Sequence, residues 1–170
     1  MSDHYYSHSP NAKSNERTWR YTLRGHDFSF TTDRGVFSKG EVDFGSRLLI
    51  ETFQAPEIDG GILDVGCGYG PIGLALAKEC QDRSVVMIDV NERASTLAEK
   101  NATVNGVANS DIRWYENGVK DLRDSDVFAS VVTNPPIRAG KETVHEIYED
   151  AYERLLPGGE LWVVIQKKQG

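Results

Sequence analysis

Asn134-Pro135-Pro136-Ile137 is the run of this 170-residue chain best suited to chemistry. Two consecutive prolines lack backbone N–H donors and fix φ, so an apolar strand read over 127–132 must stop there and no helix can follow at once. A rigid turn at the carboxyl end of a strand lies where open α/β sheets bind their ligands. There, an amide oxygen beside a fixed backbone carbonyl can accept two hydrogen bonds from one –NH2 group. Asn134, Pro135 and Pro136 thus form a candidate catalytic corner for an amine. The same run also reads as an inert strand-to-helix turn, since Asn-Pro and Pro-Pro are ordinary turn dipeptides.

A second constellation is Asp64-Val65-Gly66-Cys67-Gly68-Tyr69-Gly70. Alternating glycines let the backbone curl tightly and let a ligand lie directly on it. Gly68-Tyr69-Gly70-Pro71-Ile72-Gly73 also fits the dinucleotide fingerprint G-x-G-x-x-G, so an oxidoreductase is one reading. A dinucleotide would set its pyrophosphate against the helix N-terminus. The Asp64 carboxylate beside the loop would repel that phosphate and attract a ligand carrying an ammonium and a sulfonium. S-adenosylmethionine has both and no phosphate, so Asp64, Gly66, Gly68 and Gly70 read as a site for it. Asp89, with Val90 beside it, ends the next strand, where a carboxylate can take both ribose hydroxyls; its other reading is an acid at a helix start. Asn117 reads either as a contact to the adenine edge or as part of a plain Asn-Gly turn. Cys67 is a nucleophile only with a partner that the sequence does not offer, and otherwise a small loop-filling residue. His145 reads as a helix-surface residue.

These groups need elements to carry them. Residues 19–23 and 28–30 alternate apolar and polar around Gly25-His26-Asp27, a hairpin pattern. Phe44, Leu48, Leu49 and Phe53 mark a helix face. After Gly61 the rhythm becomes strand, helix, strand, helix: strands over 62–65, 84–89, 112–115, 127–132 and 161–165, and a helix over 71–80 with Pro71 in its first turn. A further helix is capped by Asn91, carries Ala94, Leu97, Ala98 and Val104, and ends at Gly106. The last helix carries Val144, Ile147, Tyr148, Ala151 and Leu155. Near-continuous apolar strands between helices predict an α/β fold: a Rossmann-like, mostly parallel sheet with helices on both faces and an N-terminal β-hairpin extension. A fifth strand followed so soon by Gly170 would be an exposed edge, and pairing there between two copies would give a homodimer.

Residues 1–15 are polar and read as a disordered tail, with 16–170 as one domain: hairpin and loop over 16–40, ligand-binding core over 41–170. No apolar run approaches the ~20 residues of a membrane span, and no signal-peptide pattern opens the chain. Two cysteines without metal-like spacing fit a reduced cytoplasmic setting and give no metal site. Net charge is −7, with residues 1–40 at +2 and the rest at −9. A basic, aromatic head on an acidic body fits RNA contact or a solvated hairpin equally. Arg20, Arg24, Lys39, Arg138 and Lys141 are the candidate phosphate contacts.

The chain resembles the class I S-adenosylmethionine-dependent methyltransferases, whose motif order matches Asp64–Gly70, Asp89 and Asn134-Pro135-Pro136. More narrowly it resembles the RsmC-type enzymes that methylate the exocyclic amine of a guanine in small-subunit ribosomal RNA. Gly35-Val36-Phe37-Ser38, Asp43-Phe44-Gly45-Ser46-Arg47-Leu48-Leu49 and Asn134-Pro135-Pro136-Ile137-Arg138-Ala139-Gly140-Lys141 carry that likeness. The resemblance implies that Phe37, Ser38, Asp43, Gly45 and Ser46 help close the cofactor pocket. It implies ribosomal RNA, or the small ribosomal subunit, as the partner. Ile137 stands where relatives acting on adenine usually have Tyr or Phe, which favours guanine over adenine; the same motif set could also serve adenine or a protein glutamine amide. A cofactor- and RNA-binding module without catalysis is the reading from another class. Family members normally continue past the fifth strand with another helix and a closing hairpin, and the expectation here is a fold without those two elements.

Overall fold

The computed structural model describes residues 14–34, 40–135 and 140–165. β1 (Arg17–Leu23) and β2 (His26–Thr32) form an antiparallel hairpin in which Leu23 pairs with His26. That register leaves a two-residue turn, Arg24-Gly25, at φ 50° and 78°. Positive φ at both positions matches the twist of the strands, so the turn falls at 24–25 and not at Gly25-His26-Asp27.

The main sheet contains β3 (Ile62–Val65), β4 (Val85–Asp89), β5 (Ser110–Trp114), β6 (Phe128–Thr133) and β7 (Leu155–Val163), all parallel, in the order β5-β4-β3-β6-β7. Successive strand residues serve two cores. Ile62, Val85, Met87 and Val132 face α1 (Phe44–Thr52), α2 (Pro71–Glu79), α3 (Glu92–Val104) and the hairpin. Leu63, Val65, Val86, Ile88 and Val131 pack with Val119, Leu122 and Ala151, the last from α4 (Gly140–Tyr152). Both faces of β3, β4 and β6 are covered, which is why these central strands read as nearly unbroken apolar runs, while the edge strands β5 and β7 are partly exposed. The fold class predicted from the sequence is the one observed.

Three expectations about faces need correction. On α1, Phe44 and Leu48 are 70% and 49% exposed, whereas Ser46, Leu49 and Ile50 are buried. The face is turned because Phe53 leaves the helix as its C-cap and packs on Trp162 of β7, with ring centroids 5.3 Å apart. On α3, Val104 is exposed and Asn101 is fully buried in its stead. On α4 Ala151 is the one fully buried side chain of those expected, and Leu155 already belongs to β7. β7 starts earlier than its apolar run because Leu155 pairs with Phe128; a register shift then absorbs Pro157-Gly158-Gly159 before Glu160 meets Ser130.

From β3 the chain winds outward to β4 and β5, then returns to β6 on the other side of β3. The point where the winding reverses therefore lies between β3 and β6, and a crevice opens at their carboxyl ends. Val65 pairs with Thr133 there, so the glycine loop and Asn134 leave neighbouring strands at the same level. Thr133 Oγ1 donates to the Val65 carbonyl at 3.1 Å and ties the two exits together.

Candidate active site

On the β3 side, the loop after Val65 is held mainly by backbone groups. The amides of Gly66 and Cys67 both donate to the Ile88 carbonyl at 2.9 Å. Gly68 N–H donates to Asp89 Oδ2 at 2.8 Å, and Asp89 Oδ1 accepts from Asn91 N–H at 2.8 Å. Asp89 thus braces the loop while Asn91 caps α3, so the capping reading of Asp89 gives way to Asn91. Gly66, Gly68 and Gly70 have φ of 74°, 58° and 108°, the left-handed region that side chains resist. A Cβ built on Gly66 or Gly68 meets nothing within 4 Å, so their backbone fronts open space.

Asp64 lies under this loop, 1% exposed. Its Oδ2 accepts from Gly73 N–H at 2.9 Å in the first turn of α2, while Oδ1 is buried without a partner. Burial, with a smaller push from the Asp89 charge, raises its pKa to about 7. Burial also raises Asp89. Burial and both carboxylates push the Cys67 thiol well up, which suits loop filling and not nucleophilic attack.

Val90 is half exposed beyond Asp89, and Trp114 at the end of β5 donates its indole N–H to the Val90 carbonyl at 3.0 Å. Trp114, which the sequence reading did not single out, thus forms a ledge with Val90. Asn117 is held in a turn: its backbone N–H donates to Asp121 Oδ2 at 2.9 Å and its side-chain amide to Asp121 Oδ1 at 3.2 Å.

On the β6 side, Asn134 Nδ2 donates to Asp43 Oδ2 and to Ser46 Oγ, both at 3.1 Å. A carboxylate only accepts, so the atom facing Asp43 must be the amide nitrogen. The flip of Asn134 is thereby fixed and Oδ1 remains as its acceptor. Asp43 is also the N-cap of α1, taking the Ser46 amide at 3.1 Å. A Cβ on Gly45 would sit 3.2 Å from Asn134 Nδ2 and 3.1 Å from Val164, so a residue without a side chain lets the helix start this close. Asp43 and Ser46 hold the Asn134 amide while Gly45 leaves room for it, a pairing across 88 to 91 residues that no local signal announces.

Arg24 does not join this side. Its guanidinium donates to the Ile50 and Phe53 carbonyls at 2.8 and 2.6 Å and lies 3.6 Å from Glu79, so it caps the end of α1. Arg20 is exposed on β1, and Lys141 is exposed in the first turn of α4. Phe37, Ser38, Lys39, Pro136, Ile137 and Arg138 lie outside the described residues. Among the described residues no His/Cys/Asp/Glu group could hold a metal, and no helix is long and apolar enough to cross a membrane.

A model of the methyltransferase small domain matches residues 27–170. The chain belongs to that family. It is therefore an S-adenosylmethionine-dependent methyltransferase, the enzyme class that its motifs suggest. Over its whole length it is 60% identical to the uncharacterized protein YbxB of Bacillus subtilis, of which it covers 84%. Over 88% of its length it is 34% identical to the ribosomal RNA small subunit methyltransferase C of Vibrio parahaemolyticus. A similar solved structure is the Thermus thermophilus 16S rRNA N2 G1207 methyltransferase (RsmC) in complex with AdoMet and guanosine, at TM-score 0.76, 27% identity and 91% coverage of this chain. This chain spans 45% of the Vibrio enzyme and 43% of the Thermus chain.

Proposed function

We propose that this family member transfers a methyl group from S-adenosylmethionine to the exocyclic amine of a guanine in small-subunit ribosomal RNA. The observation that carries the reading is the fixed orientation of Asn134. With Nδ2 committed to Asp43 and Ser46, Oδ1 stands ready to accept a hydrogen from an amine. The Pro135 carbonyl, next along the rigid turn, accepts the second. The lone pair of a guanine amine is delocalised into the ring, and two acceptors favour its pyramidalisation and stabilise the positive charge that develops on nitrogen. This is preorganised electrostatics and positioning, with no side chain needed as base.

The residues present fit the cofactor. Gly66 and Gly68 front open space, and the partnerless Asp64 Oδ1 supplies negative charge under the loop. When bound, S-adenosylmethionine supplies an electrophilic methyl group on a positively charged sulfur. Asp64, Gly66, Gly68 and Gly70 would hold its amino-acid end and sulfonium, Asp89 its ribose, and Val90, Trp114 and Asn117 its adenine. Ile137, aliphatic where a stacking aromatic would serve adenine, supports guanine. The RsmC relatives named above support the RNA substrate, with Arg20 and Lys141 as phosphate contacts.

The test is methyl transfer to undermethylated small ribosomal subunits, followed by digestion to nucleosides. Label in N2-methylguanosine is the expected result. Label in a methyladenosine, or in protein alone, would overturn the guanine assignment.

A further inference from the structure

Asn101 and Tyr69 carry an inference that the motifs do not. Asn101 is fully buried on α3, on the stripe of Leu97 and Ala98. Its Oδ1 accepts from Thr31 N–H at 2.8 Å, and its Nδ2 donates to the Thr31 carbonyl at 3.0 Å and to the Tyr69 carbonyl at 2.8 Å. One turn on, Asn105 Oδ1 accepts from Ser29 N–H and its Nδ2 donates to the Ser29 carbonyl, both at 2.9 Å. Two asparagines at i and i+4 thus pair with the edge of β2 much as a neighbouring strand would. Asn101 alone reaches on to the glycine loop.

Tyr69, between Gly68 and Gly70, is 7% exposed. Its ring meets Trp19 and Phe30 of the hairpin edge-on, with centroids 5.8 and 5.5 Å apart. The loop is therefore held on two sides. Gly66, Cys67 and Gly68 are tied to β4, and Tyr69 is tied to the hairpin through its ring and to α3 through its carbonyl.

We propose that the N-terminal hairpin, acting through Asn101 and Tyr69, sets the affinity of the glycine loop for the cofactor. Asn101 is a positioning residue: it touches the loop and the hairpin, not the reacting atoms. The inference rests on the reading that S-adenosylmethionine lies on this loop. Releasing the Tyr69 carbonyl lets the segment between two permissive glycines spread, and the ligand must then order it on binding. Coupling is reciprocal, so cofactor on the loop must also steady the hairpin.

Asn101→Ala and Asn105→Ala separate this from a merely structural role, because both remove a bonded pair to β2 and only the first releases the loop. Calorimetry with S-adenosylhomocysteine should show Kd roughly tenfold weaker for Asn101→Ala and within about twofold of wild type for Asn105→Ala, the loss expected of one buried hydrogen bond. In turnover assays KM for S-adenosylmethionine should rise while kcat holds. Amide exchange of the wild-type chain provides a readout that needs no variant to fold. S-adenosylhomocysteine should slow Thr31 together with Tyr69 and Gly70, and more than Ser29. Equal Kd for both variants, or a hairpin whose exchange ignores the ligand while the loop slows, overturns the inference. Absence of S-adenosylhomocysteine binding by the wild-type chain removes the cofactor reading, and this inference with it.

Discussion

At the glycine loop the protein positions its groups with backbone amides and two carboxylates, one buried and one half-buried: Gly66 and Cys67 on the Ile88 carbonyl, Gly68 on Asp89, Gly73 on Asp64. At the Asn134 corner it uses side chains on side chains, with a half-buried amide spanning Asp43 and Ser46. The first arrangement suits a site that must hold a ligand in one shape. The second suits a site that must present one atom in one orientation. Damage at the first should therefore appear in binding, and damage at the second in turnover.

The largest expected effect tests that division directly. Asn134→Ala removes the acceptor and should lower kcat by roughly a hundredfold or more, the scale for loss of a preorganised group facing developing charge. Kd for S-adenosylhomocysteine should stay within about twofold. A variant that keeps most of its turnover, or loses binding in proportion, breaks the comparison.

The next effect belongs to the loop and is read by pH. Asp64 has its pKa raised to about 7, so in the unliganded protein it ionises only near neutrality. The ligand's ammonium group, which S-adenosylhomocysteine keeps although its thioether sulfur carries no charge, favours the ionised form. Affinity for S-adenosylhomocysteine should accordingly fall about tenfold from pH 8 to pH 6, and Asp64→Asn should flatten that profile. The sign for stability is opposite. Between the usual carboxyl value of 3.8 and about 7 the folded chain binds more protons than the unfolded one, so unliganded stability falls as pH rises through that window. Denaturant midpoints that rise over the same range would contradict the burial of Asp64.

How much of this was legible in the sequence follows the same line. Asp64, the glycines and Asp89 lie within one strand–loop–helix stretch and the strand beside it, and their spacing reflects their geometry. The parallel sheet was legible because strands buried on both faces read as unbroken apolar runs. The grip of Asp43 and Ser46 on Asn134 was not, because two distant segments meet only once β3 and β6 are neighbours. The faces of α1 and α3 were misread for a related reason: Ser46 and Asn101 are polar residues turned inward to reach partners elsewhere in the chain. A polar residue on an apolar stripe, as Asn101 is beside Leu97 and Ala98, was the signal available. Arg24 reads in the sequence as a candidate phosphate contact because nothing near it reveals the α1 carbonyls that it serves.

A smaller effect sharpens the second half of the comparison. Ser46→Ala removes one of the two acceptors on Asn134 Nδ2, and Asp43→Ala removes the other. Without the carboxylate the amide can flip and present nitrogen to the amine. Asp43→Ala should then lower kcat several-fold, beyond the ~1 kcal/mol of stability lost with a helix N-cap. Ser46→Ala, which leaves the carboxylate in place, should cost less turnover. If Ser46→Ala were the more damaging, the carboxylate would not be what sets the flip.

Gly45→Ala should give the smallest effect and the cleanest separation of folding from turnover. Alanine in a helix is favoured over glycine by up to ~1 kcal/mol. Here its Cβ would press on Asn134 Nδ2 at 3.2 Å and on Val164 at 3.1 Å, so the two influences on stability offset each other. The unfolding midpoint should change little. The amide, however, must yield by a few tenths of an ångström, and Oδ1 moves with it. A roughly threefold fall in kcat at unchanged stability and unchanged S-adenosylhomocysteine affinity is the expected outcome, since orientation governs such a step. Full turnover in Gly45→Ala would mean that the corner tolerates displacement of its amide, and the contrast with the rigid loop would lose its basis.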